Sequence, residues 1–121
     1  MTNDLYVGFR ETPKGIERFL EEEGYVESKD SPDSEGVRIY TPKNNDWPQL
    51  FYIPSIRDDE RRDSVWEGYP VKISSEININ YSYRDQQASD EAERISQSLV
   101  DKFDAICYDP ILEEFLIKGA L

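Results

Sequence analysis

The sequence predicts a single α+β domain over residues 1–121, an antiparallel or mixed sheet of about five to six strands with two main helices on one face. Three observations predict it. Residues 71–83 alternate apolar and polar side chains. Two stretches, one after Thr12-Pro13 and one after Ser89, repeat apolar residues at helical spacing. The remaining apolar runs are short and bounded by turn-forming residues. The resulting order fits a ferredoxin-like β-α-β-β-α-β plan with an extra hairpin and a C-terminal helix.

The elements follow in chain order. Leu5, Val7 and Phe9 share one side of a first strand. Thr12 as N-cap and Pro13 at the first position open a helix whose stripe is Ile16, Phe19 and Leu20, and Gly24 ends it. Glu21, Glu22 and Glu23 sit unfavourably at its negative end. Tyr25–Ser28 and Val37–Thr41 form a hairpin around the polar loop 30–36, and Leu50–Ile53 is a fourth strand closed by Pro54. Residues 57–63 are all charged, and Trp66–Pro70 shows no periodicity. In the long strand 71–83, Ile73, Ile77, Ile79, Tyr81 and Tyr83 share one side, and Ser74, Glu76, Asn78, Asn80 and Ser82 the other. Ser89 caps a second helix with its stripe at Ala92, Ile95, Leu99 and Phe103. Ala105–Tyr108 is a buried strand, and Asp109-Pro110 starts the C-terminal helix, with Ile111, Leu112, Phe115 and Leu116 as its apolar side.

Charge and composition narrow the function classes. The net charge is −12, from 26 acidic and 14 basic residues. Such a field repels phosphates and anionic lipid, which argues against nucleic acid and membrane and leaves a basic protein as an attracted partner. One cysteine, Cys107, excludes an intramolecular disulfide and points to a cytoplasmic protein; its apolar surroundings make it a buried hydrophobe. The N-terminus has no signal-peptide pattern, and no apolar run is long enough to span a bilayer.

Histidine is absent. That removes the usual general base near neutral pH, the commonest transition-metal ligand, and the Ser-His-Asp and Cys-His nucleophile systems. The loop 30–36 places Ser31, Asp33 and Glu35 before Gly36 as a calcium loop would, but Pro42 falls where the loop needs glutamate. Phosphate-binding glycine motifs are missing. No catalytic set, metal or cofactor is assigned.

Two candidate surfaces remain. The first is the polar side of the long strand, Glu76, Asn78, Asn80 and Ser82, joined by Tyr6, Arg10, Arg38 and Tyr40 from other strands; Arg38 beside Glu76 reads alternatively as a cross-strand ion pair. The second is the aromatic stretch Trp47, Phe51, Tyr52, Trp66 and Tyr69, near Arg57, Arg61 and Arg62, in the residue types that dominate binding hot spots. The expectation is a non-enzymatic interaction or regulatory module, binding a protein partner or a second copy. The alternative is a small-ligand pocket between the sheet and the 47–69 segment, closed by Trp47 and Trp66. A carboxylate enzyme using Glu76 and Asp109 is a weaker third reading.

Overall fold

In the computed structural model, which describes residues 2–34, 36–57 and 64–117, β1 (Thr2–Phe9) leads into α1 (Ile16–Glu22). A meander of β2 (Tyr25–Glu27), β3 (Arg38–Pro42), β4 (Gln49–Ile53) and β5 (Ser75–Ser82) then returns to pair with β1. After α2 (Gln86–Phe103), β6 (Ile106–Asp109) pairs on the other side of β1 and β7 (Glu114–Ile117) pairs with β6. The seven strands form one sheet in the order β2-β3-β4-β5-β1-β6-β7, and every pairing is antiparallel. The two strands that α2 links, β5 and β6, flank β1 and do not touch, so the helical connection creates no parallel pair.

One face of the sheet is covered by helices. Leu5, Val7 and Phe9 of β1, Leu50 and Tyr52 of β4, and Ile77, Ile79 and Tyr81 of β5 pack in one cluster with Ile16 and Leu20 of α1 and Ala92, Ile95 and Leu99 of α2. Both helices therefore lie on the same face, as the sequence predicts. Each fully buried Leu or Ile here contributes about 1.5–3 kcal/mol. The Phe103 ring meets Phe9 edge-on at 6.0 Å and Phe19 at 5.2 Å, which ties the end of α2 to β1 and α1.

The acidic end of α1 finds local compensation. Arg18 reaches Glu22 at 3.2 Å, and Arg94 of α2 reaches Glu23 at 3.5 Å. Arg94 also binds Glu91 through two nitrogens, at 2.6 and 2.7 Å, and Glu91 accepts the Tyr25 hydroxyl at 2.7 Å. Burial raises the Glu91 pKa, but the bonds from Arg94 and Tyr25 outweigh it and hold the carboxyl below its usual range. The exposed Arg18 pair is worth only about 0.3–0.5 kcal/mol, so the Tyr25–Glu91–Arg94–Glu23 chain does more to join α1, β2 and α2.

Several expected boundaries are corrected. Gly15, in the left-handed region at φ 76°, precedes α1, and the Thr12 hydroxyl donates instead to the Pro54 carbonyl at 3.0 Å. Asp85 rather than Ser89 caps α2, accepting the Ala88 amide at 3.1 Å. The long strand begins at Ser75, because Ser74 donates to Phe9 and accepts from Ile56, and this crossing turns Ile73 away from Ile77 to the opposite face.

The expected C-terminal helix is replaced by a turn and β7. Asp109 does cap, but it caps the turn: its Oδ1 accepts from Ile111 at 2.9 Å and Leu112 at 3.4 Å. Glu113, at φ 53°, stands in the left-handed region and stops any helix there. Ile111 and Leu112 are consequently exposed, at 59% and 60%.

Asp109→Ala is expected to cost about 1 kcal/mol in urea unfolding and to speed amide exchange at Ile111 and Leu112. Exchange unchanged at both amides contradicts the turn-capping role.

Candidate functional site

Strand alternation sends the even-numbered residues of β1 and β5 to the face opposite the helices. Register places Ile53, Glu76, Gly8 and Ile106 in one line across β4, β5, β1 and β6. Phe51, Asn78, Tyr6 and Tyr108 form the next line, and Gln49, Asn80 and Asp4 a third. The first line is covered. Trp66, Ile56 and Ile73, from the connection between β4 and β5, bury themselves with Ile106 in a second small core, and Tyr6, Ile53, Val65, Tyr69 and Tyr108 pack at its border.

The fit of this cover depends on a glycine. A Cβ at Gly8 would lie 2.7 Å from Trp66 Cζ2, 2.8 Å from Cη2 and 2.9 Å from Ile73 Cγ2. Only a residue without a side chain admits the indole at this point. Trp66 Nε1 then donates to Glu76 Oε1 at 2.8 Å, and the Trp66 and Tyr69 rings meet edge-on at 6.1 Å. Glu76 is 8% exposed. Burial pushes its carboxyl above the ordinary range; the Trp66 bond partly opposes this, and Asp4 adds to it.

The second and third lines extend beyond the cover. Phe51, Asn78, Tyr6, Tyr108, Gln49, Asn80 and Asp4 are all partly exposed. Asp4 Oδ1 accepts from Asn80 Nδ2 at 2.8 Å and Asn78 Nδ2 at 3.3 Å, and Asn80 Nδ2 also lies 3.3 Å from Thr2 Oγ1. The two amides thus fix the orientation of the carboxylate. The Tyr6 hydroxyl is pushed up first by burial and then by Asp4 and Glu76.

The structure separates residues that the sequence groups together. Glu76, Asn78 and Asn80 share the open side as expected, but Glu76 lies under Trp66 and is an anchor, not part of a wet platform. Arg38 and Tyr40 pair with Tyr52 and Leu50, so they belong to the helix-covered face and Arg38 makes no pair with Glu76. Arg38 instead pairs with Glu17 of α1 and lies 3.9 Å from Glu27. Trp47 packs on the helix-side core, whereas Trp66 and Tyr69 belong to the second core on the other face. The two tryptophans therefore do not close one pocket. Arg61 and Arg62 lie outside the described residues.

Other concavities lie elsewhere. A cavity of about 220 Å³ is lined by Trp47, Tyr25, Glu23, Asp85 and Glu91 among others. A wider one of about 500 Å³ lies between α1 and the β3–β4 strands, with Ile16, Arg38 and Tyr52 in its walls. Cys107 is buried under α2, and burial lifts its thiol to about 11, which leaves it protonated and unreactive near neutral pH. In the 30–36 loop, the Asp33 carboxylate accepts the Val37 amide at 3.0 Å, a use in turn closure. Asp4, Gly8, Gln49 and Tyr108 are site residues that sequence reasoning missed. A glycine inside an otherwise alternating strand marks a close approach and is the signal that points to Gly8; Asp4 has no such signal.

Comparison with protein-family models, curated proteins and solved structures finds no match to the chain. Among the described residues, no helix is long and apolar enough to cross a membrane.

Gly8→Ala is expected to destabilise the fold by about 1–3 kcal/mol through overpacking and to red-shift Trp66 emission in a Trp47→Phe background. An unchanged urea midpoint and spectrum contradict the close approach. For Glu76, a raised folded pKa means that folding takes up a proton. Its contribution therefore favours the fold below the ordinary value of 4.5 and is lost as pH rises through the folded value. Glu76→Gln keeps an acceptor for Trp66, so its stability relative to wild type should improve between pH 4 and pH 7. Parallel stability profiles across that range contradict it.

Proposed function

We propose that this domain is a non-enzymatic protein-interaction module, and that its interaction surface is the open part of the sheet face opposite the helices. The observation that carries the reading is the partly exposed line Phe51–Asn78–Tyr6–Tyr108, which emerges from beneath the Trp66 cover and runs beside Asp4. It spans four strands, about 14 Å at ~4.8 Å per strand. Tyrosine and phenylalanine in such a line present large rigid area at low entropic cost, and Asn78, Asn80 and Gln49 supply hydrogen-bonding groups around it.

The same reading takes the order β6-β1-β5-β4, with α1 and α2 on one face, as a ferredoxin-like plan into which β2 and β3 are inserted as a hairpin. It places the protein in the cytoplasm, supported by a lone buried thiol. The carboxylate-enzyme reading loses its residues: Glu76 is covered by Trp66, and Asp109 is committed to its turn.

Trp66→Ala would dismantle the cover, so it is a poor probe of the surface; Phe51 is the better position. With a photoreactive phenylalanine analogue at position 51, cells should yield a discrete covalent adduct that is missing when the analogue replaces Gln97 on the exposed side of α2. Equal adducts at both positions, or none at position 51, contradict the assignment.

A further inference from the structure

Resting on the proposed interaction surface, we infer that the occupant of the open sheet face is a basic segment of another protein, whose arginine or lysine side chains lie across Phe51 and Tyr6 and pair with Asp4. Charge complementarity on an aromatic floor favours this occupant. Among the described residues of β1 to β6, the sole arginine or lysine is Arg38, and it lies on the helix-covered face with Glu17 as partner. No cation therefore stands at any position of these strands on the open face, while the partly exposed Asp4 does; Glu76 is on the same face but lies under Trp66. The described cations of the covering connection, Arg57 and Lys72, are engaged in interactions of their own.

Two further features fit a cationic side chain. Asp4 is held by two amide donors on one oxygen, and a carboxylate has about four acceptor sites, so a guanidinium can join without displacing either amide. Tyr6 and Phe51 are partly exposed, and arginine stacks on aromatic rings. The Tyr6 hydroxyl is pushed above its ordinary range first by burial and then by the nearby carboxylates of Asp4 and Glu76. Acidic segments are repelled both by this face and by the net charge of −12.

The test uses the full chain and three capped nine-residue peptides, each alternating leucine with a variable residue: arginine, glutamine or glutamate. Amide shifts are mapped by heteronuclear NMR at about 0.1 M salt, where the Debye length of about 10 Å screens distant charge. The arginine peptide is expected to move Asp4, Tyr6, Phe51, Asn78 and Asn80 together, with binding weakened roughly tenfold by Asp4→Asn, a loss equivalent to about 1.4 kcal/mol. The glutamate peptide should leave these amides unmoved. Equal binding by the glutamine peptide overturns the basic occupant but leaves the surface standing. Shifts centred on Glu21, Asp90 and Glu93 of the helices mean general charge attraction and overturn it as well. Concentration-dependent shifts of the face without peptide assign the site to a second copy and likewise overturn it. No shift of the face in any arm removes both the inference and the surface on which it rests.

Discussion

Trp66 seated against Gly8 is the contact on which the second face of this protein depends. The indole benzo carbons approach so closely that no side chain fits beneath them, and the ring nitrogen binds a carboxylate that is itself buried. Removing a carboxylate from water is costly, while a hydrogen bond to a charged group returns only about 1.5–3 kcal/mol. The raised Glu76 pKa indicates that desolvation outweighs the bond. Glu76 therefore serves position more than stability: it gives the indole one orientation against a flat sheet. Ile73 and Ile56 then complete a small apolar cover.

This cover divides the face. Beneath it, the line through Gly8 and Glu76 is dry. One line further along β1 and β5, the same strands present Tyr6 and Asn78 partly exposed, and beyond them Asp4 and Asn80. An antiparallel sheet commonly buries one face and wets the other. Here the helices bury most of one face and the cover buries part of the second, so only the remainder of that second face is exposed. The helix-side network of Tyr25, Glu91, Arg94 and Glu23 is satisfied internally, whereas on the opposite face the described strand residues include carboxylates and no lysine or arginine.

Most of the fold was legible in the sequence because period two and period 3.6 are strong signals. The alternation of Ile77, Ile79 and Tyr81 and the stripe of Ala92, Ile95 and Leu99 place both elements and their buried sides correctly. The end of the chain was misread because Asp109-Pro110 is an equally good opening for a turn; the choice is made by β6 offering an edge to pair with, a tertiary effect. Arg38 was misplaced for a different reason. A one-residue shift in where a strand starts moves a side chain to the other face, and the parity of β3 relative to β5 is set by β4 between them. Trp47 and Trp66 looked like one patch because they are near in sequence, yet a whole sheet separates them. Of the site itself, Asn78 and Asn80 were readable from alternation; Asp4 was not, since only pairing with β5 brings it to them.

The closure of Trp66 on Gly8 carries the second face. It is tested most directly by the nuclear Overhauser contacts of the Trp66 ring protons at Cζ2 and Cη2 in the full chain. Strong contacts to a Gly8 α-proton, together with contacts to the Ile73 methyl, are the expected result. A Trp66 ring whose contacts lead to other residues, with Gly8 α-protons free of any aromatic neighbour, would contradict the account.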